Sequence, residues 1–278
     1  MFFVISGFLI TSLLLKDSDL KKFYFRRTLR IFPPYYVYLM IFLILALLGW
    51  VDTPYQDLLA SFTYTENYFY TGHEWNLVLH AWSLAVEEQF YLILPFMMMW
   101  TKKPIFPILA IVLCPIIRFL YISNNPSIWI GFSGFEVVAD SLAVGCLLAY
   151  VPNIKSSWVF ILPVFGITFL LNFPGYYSKQ VYVTILIPLQ NICIALSIAY
   201  CVANKGIVSN ILNWKPITFI GIMSYSIYLW QQPFLNPLWN LPIVVRLILI
   251  AVCASASFYL VERPILRLRK TLESGTNP

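Results

Sequence analysis

The run from residue 78 to 100 limits what this chain can fold into more than any other stretch: it is apolar and long enough to span a bilayer, yet it carries His80, Ser83, Glu87 and Glu88. A membrane helix needs about 20 apolar residues, and a carboxylate at its centre costs on the order of 2.5 to 3.5 kcal/mol. Both glutamates must therefore meet protein, water or substrate rather than lipid tails. His80, Ser83, Glu87 and Tyr91 recur at i, i+3, i+7 and i+11, so a helix puts them on one face, with Ser83 one turn from Glu87. Glu88 is turned away by about 100°. His80 and Glu87 stand two turns apart, roughly 10 Å along the axis, which excludes a direct hydrogen bond on an unbroken helix but lets them line one pocket.

The rest of the chain agrees with a membrane setting. Apolar residues make up 60% and aromatic residues 18% of 278, and the mean hydropathy is +0.78, more apolar surface than a soluble domain can hide. The expected architecture is all-α: one polytopic bundle over residues 1–278, with about nine spans at 1–15, 34–50, 78–100, 105–122, 129–151, 158–173, 181–203, 217–235 and 241–261. The net charge of +6 does not point to nucleic acid, because fifteen of the eighteen basic residues fall in short clusters between alternate apolar runs. Those loops are expected on the cytoplasmic side of the membrane. The opposite loops carry Asp52, Asp57, Glu66 and Glu74.

Cys114, Cys146, Cys193, Cys201 and Cys253 all lie in apolar runs without CxxC spacing and read as small core residues. His73 and His80 are the two histidines, and with no His/Cys cluster no metal is expected. The first span would run inward with no segment before it, and it lacks the basic start and small-residue cleavage site of a signal peptide. An outbound span ahead of Met1 is expected.

Two further stretches carry candidate chemistry. Arg26, Arg27 and Arg30 share one helical face next to the second span. They suit an anchor to anionic lipid or a clamp for phosphate, whose oxygens match a guanidinium fork; a coenzyme A thioester is a donor of that kind. The loop 51–77 is rich in aromatics, among them Tyr55, Tyr64, Tyr68, Phe69, Tyr70 and Trp75, and reads as an interfacial belt or a sugar-stacking lid.

Five segments in order, FFVISGFLIT at 2–11, FRRTLRIFPPYY at 25–36, HAWSLAVEEQFYLILP at 80–95, SYSIYLWQQPF at 224–234 and FYLVERPILRLRK at 258–270, resemble the acyltransferase-3 family. These are bacterial membrane O-acyltransferases that modify surface polysaccharides. The resemblance implies a helical bundle in the cytoplasmic membrane that takes an acyl group, acetyl in the first place, from acyl-CoA as co-substrate, with no bound cofactor. It implies delivery to a hydroxyl of a cell-surface glycan or lipid-linked sugar. It also implies that Arg27 and Arg30, the match to the family's Arg-x-x-Arg pair, contact the donor, and that Glu87, in the match to its WSLxVE motif, serves activity. Trp82, Tyr91, Tyr225 and Gln231 lie in matching motifs as candidate substrate contacts.

The chain departs from the family pattern in three places. The family's first span carries a histidine a few turns after a basic residue, and neither His73 nor His80 replaces it by motif. Gln231 stands where many relatives have histidine, which keeps hydrogen bonding and loses titration. Val138 stands where relatives often have an arginine two residues before the match to Asp140, so Glu136 and Asp140 need another partner, with Arg118 or Arg246 as candidates by charge. Glu262, Arg263 and Pro264 read as a local ion pair and a proline that closes the last helix.

Glu87, partly desolvated, is the expected proton acceptor or the group that orients a histidine. His80 is the imidazole on its face, and Ser83 a covalent alternative. Rival readings of the same charges are a transporter or flippase of a lipid-linked sugar or acyl donor, and an inactive fragment of the acyltransferase.

Overall fold

The computed structural model describes residues 1–69, 76–101, 103–125, 130–151, 178–236 and 241–275. Among them there is no strand, and the elements are helices: α1 Phe2–Lys16, α2 Leu20–Leu47, α3 Tyr55–Phe62, α4 Ala81–Trp100, α5 Ile105–Asn124, α6 Ile130–Ser133, α7 Phe135–Tyr150, α8 Ile187–Ala203, α9 Ile207–Leu212, α10 Lys215–Leu235, α11 Ile243–Ser257 and α12 Arg263–Gly275. A π turn at Tyr182–Leu186 leads into α8, and a second, at Phe258–Glu262, joins α11 to α12. The expected span at 158–173 lies outside the described residues, as do His73, Glu74, Tyr70 and Trp75.

Four helical stretches, Leu20–Leu47, Ile105–Asn124, Tyr182–Ala203 and Ile243–Glu273, are long and apolar enough to cross a membrane. Only 22% to 33% of an 18-residue apolar segment in each is buried, so most of the side chains there face outward, as lipid-facing residues do. The protein is an all-α membrane protein, as expected. Fewer helices meet that measure than the nine spans read from the sequence: α1 and α7 are shorter, and α4 is long enough but made more polar by Glu87, Glu88 and Gln89.

The chain divides into two compact units, Met1–Ser18 with Ser83–Ile211, and Asp19–Trp82 with Leu212–Pro278. In the first unit, α1 and α7 cross with their backbones in contact. A Cβ added to Gly7 would strike the carbonyl oxygen of Leu142, and one added to Gly145 would strike that of Val4. Small residues at a crossing let membrane helices approach closely. Val4, Val144, Leu148, Ile194, Ala195 and Ala199 then form a core shared by α1, α7 and α8.

In the second unit, α2 is N-capped by Asp19, whose side chain accepts from the Lys22 amide at 3.1 Å. It runs unbroken through Pro33 and Pro34, so the prolines at which the second span was expected to start lie about four turns inside a helix already formed. The prolines deprive the Leu29 and Arg30 carbonyls of their usual amide partners. The Tyr225 hydroxyl of α10 donates to the neighbouring Ile31 carbonyl at 2.9 Å, and Pro34 is buried. Pro264 likewise does not end the last helix. It follows the second π turn inside a helical stretch that is continuous from Ile243, and the chain stays helical to Gly275.

Candidate active site

In the first unit, Ser83, Glu87 and Tyr91 are buried on one face of α4, as the spacing requires; Glu87 is only 3% exposed. The Tyr91 hydroxyl is hydrogen-bonded to the Ser6 hydroxyl of α1. Beside them the unit holds a polar knot that the charge pattern announced without fixing. Arg118 of α5 is the partner of Asp140, at 2.8 Å, with both side chains almost fully buried. The same guanidinium donates to the Val137 carbonyl at 2.9 Å and to the Val183 carbonyl, inside the first π turn, at 2.6 Å. Asn191 donates to the Ser141 hydroxyl at 2.7 Å, and Glu136 accepts from the Tyr121 hydroxyl at 3.2 Å.

The second unit holds His80, Trp82, Arg27, Arg30, Tyr225 and Gln231. His80 precedes α4, is 7% exposed, and packs its ring against Tyr38 and Tyr228 at centroid distances of 5.5 and 5.2 Å. Three hydroxyl and amide donors hold the segment that carries it: Tyr228 to the His80 carbonyl at 2.6 Å, Tyr38 to the Leu77 carbonyl at 2.7 Å and Gln232 to the Asn76 carbonyl at 3.3 Å. Trp82 and Gln231 are half-buried. Of the three arginines, Arg26 forms a two-pronged pair with Glu273 at 2.7 and 2.9 Å, Arg27 is half-buried and Arg30 is exposed.

Sequence reasoning missed two carboxylate sites in this unit. Glu262 does not pair with Arg263, whose guanidinium lies over the Tyr259 ring at 5.3 Å; it accepts from the Ser226 hydroxyl at 3.0 Å. Asp57 and Glu66, acidic residues of the loop, are buried: Asn76 donates to Asp57, and Ser61 donates to Glu66 at 3.2 Å. Burial first, then the neighbouring Asp57 carboxylate, push Glu66 up to about 9. Tyr64 stacks on Tyr35 at 4.8 Å and on Phe32 at 5.5 Å, so this aromatic of the loop packs on α2.

An acyltransferase domain family matches residues 1–261. The chain belongs to that acyltransferase family. YrhL of Bacillus subtilis (strain 168) is 28% identical over 322 residues, covering 95% of this chain and 49% of YrhL. The O-acetyltransferase OatA of Staphylococcus aureus (strain NCTC 8325 / PS 47) is 28% identical, covering 95% of this chain and 51% of its own. The peptidoglycan O-acetyltransferase OatA of Listeria monocytogenes is 27% identical, with 95% and 50% covered. The chain thus spans about half the length of these relatives. No solved structure matches it. Within this acyltransferase chain, the match takes in α2 with its arginines, α4 with Glu87 and α10 with Tyr225.

Proposed function

We propose that this chain is the membrane part of an O-acetyltransferase that moves an acetyl group from acetyl-CoA to a hydroxyl of a cell-wall glycan, with peptidoglycan as the acceptor. The observation that carries the proposal is the family match over residues 1–261, joined to relatives named for O-acetyl transfer. The reaction breaks the thioester C–S bond and forms an ester C–O bond; the proton of the attacking hydroxyl ends on the coenzyme A thiol. No redox partner is needed.

Glu87 is the group of choice for that proton, because it is the carboxylate on the buried face of α4, only 3% exposed. His80, enclosed by Tyr38 and Tyr228, is a packing residue in this scheme, and Ser83 frames the face on which Glu87 stands. Arg27 and Arg30 hold the donor's phosphates from the cytoplasmic side. Tyr91 and Tyr225 spend their hydroxyls on Ser6 and on the Ile31 carbonyl, so each shapes a wall within its own unit, and Trp82 and Gln231 are further candidate substrate contacts in the second unit.

The test is transfer of labelled acetyl from acetyl-CoA to cell-wall glycan by membranes containing the full-length protein, read as acetate released from the glycan by mild base. Ester label that disappears in Glu87→Gln and falls in Arg27→Ala is the expected result. Label that crosses the membrane without becoming ester-linked overturns the proposal.

A further inference from the structure

The helix Ile243–Glu273 is longer than a membrane crossing needs. Its 31 residues span about 46 Å at 1.5 Å each, against roughly 30 Å of hydrocarbon. Residues 243–261 carry a single charge, Arg246, whereas α12 carries Arg263, Arg267, Arg269 and Lys270, so α12 is the part that lies at headgroup depth. The first turns of α2 hold Lys21, Lys22 and Arg26 in the same way. Arg26 and Glu273 fasten the two basic ends together at 2.7 and 2.9 Å.

That ion pair decides which side of α12 packs and which stays open. Ile265, Leu266, Arg269 and Glu273 are half-buried. Glu273 is the only acidic residue of α12, and its carboxylate is taken up by Arg26 and, at 3.7 Å, by Arg269. Two exposed rows remain. Arg263, Arg267 and Lys270 recur at i, i+4 and i+7, and beside them Pro264, Leu268 and Leu272 recur at i, i+4 and i+8, with Leu268 55% and Leu272 47% exposed. The leucines would sit in water if the helix stood clear of the membrane. At the membrane boundary they meet acyl chains, while the long Arg and Lys side chains reach the phosphates. A zwitterionic headgroup would bring an ammonium to a row that offers it no carboxylate; an anionic one matches the row in charge. We propose that the exposed face of α12 is a docking surface for anionic phospholipid headgroups, whose phosphates meet the row Arg263, Arg267 and Lys270 while Leu268 and Leu272 lie against the upper acyl chains.

The full-length protein is reconstituted into phosphatidylcholine bilayers with a trace of spin-labelled phosphatidylglycerol or spin-labelled phosphatidylcholine, and the share of label immobilised on the protein is read by electron paramagnetic resonance. Phosphatidylglycerol is expected to associate about fivefold more strongly than phosphatidylcholine. Arg267→Gln with Lys270→Gln is expected to reduce that preference to about twofold or less and to leave immobilised phosphatidylcholine unchanged. Lys270→Gln alone is expected to fall between, and serves where the double variant does not accumulate. Lys205→Gln with Lys215→Gln removes the same charge from exposed positions elsewhere and is expected to keep the full preference. An equal association of the two lipids with the unaltered protein overturns the proposal, as does a full preference in both the double variant and Lys270→Gln. An equal loss in the Lys205 and Lys215 variant overturns it in favour of net charge. A preference abolished by added coenzyme A gives the row to a soluble phosphate and overturns the lipid assignment.

Discussion

Arg118 and Asp140 form a buried ion pair at 2.8 Å, and the arginine is also bonded to two backbone carbonyls, those of Val137 and Val183. The guanidinium thereby ties α5, α7 and the π turn before α8 to one point. Arg118→Ala leaves a buried carboxylate and two carbonyls unmet, and is expected to cost about 3–5 kcal/mol of stability. Asp140→Asn keeps an oxygen for Arg118 to donate to and is expected to cost only about 1–2 kcal/mol. Denaturant-induced unfolding in detergent micelles checks the order; equal losses from the two variants would deny the pair this role.

Gly145 provides a sharper steric test. An added methyl would meet the Val4 carbonyl and the Phe8 amide, both backbone atoms that yield only if α1 and α7 part. Gly145→Ala is therefore expected to destabilise by about 1–3 kcal/mol, and Gly7→Ala similarly. Gly221 is the control, since nothing lies within 4 Å of its Cβ position. There alanine removes the flexibility of glycine from a helix and is expected to be neutral or to gain up to about 1 kcal/mol. Melting temperatures of the three variants decide.

How much of this was legible in the sequence differs from feature to feature. The face carrying Ser83, Glu87 and Tyr91 was legible, because helical spacing alone fixes it. The Arg118 to Asp140 pair was half legible: charge conservation in an apolar bundle demands a cation, and offers Arg118 and Arg246 equally. Arg246 in fact turns back to the Leu241 carbonyl at 2.9 Å. The start of α2 and the continuation past Pro264 were misread, because proline is a local helix breaker and yet both helices run on through it, the second by way of a π turn. Gly7 and Gly145 carry no signal, since each is a single glycine in its helix and only the fold pairs them. Asp57 and Glu66 looked like acidic loop residues, and nothing in their spacing announces burial.

Glu66 makes stability depend on pH in a direction opposite to that of a salt-bridged carboxylate. Its folded-state value, about 9, lies above the usual carboxylate value of 4.5 that it regains on unfolding. Between those limits the unfolded chain has released a proton that the folded chain retains, so stability is fully present below 4.5 and falls as pH rises toward 9. The slope is at most about 1.4 kcal/mol per pH unit. Glu66→Gln, which keeps an acceptor for Ser61, is expected to flatten the decline and to be the more stable form at pH 8 to 9, on the order of 1–3 kcal/mol. Thermal unfolding at a series of pH values checks this, and a variant with the same alkaline decline would place its origin elsewhere.

Glu87 and Ser83, one turn apart on the buried face of α4, lead to opposite expectations under two chemistries. If the acetyl group passes directly from the thioester to the glycan hydroxyl, Glu87 takes the proton and Ser83 makes no bond to carbon. Glu87→Gln then keeps the shape and the hydrogen bonding and loses the base, a change expected to lower kcat by about 10²- to 10⁴-fold. Ser83→Ala is expected to leave kcat within about threefold, the scale of one lost neutral hydrogen bond. If Ser83 instead carried an acetyl intermediate, Ser83→Ala would abolish transfer, and labelled acetyl would stay on the protein after brief reaction without acceptor. Measuring both variants for transfer, and the unaltered protein for retained label, separates the two routes. The direct route requires an active Ser83→Ala, an inactive but folded Glu87→Gln and no retained label, because a carboxylate set inside a lipid-facing bundle has no partner in solvent to replace it.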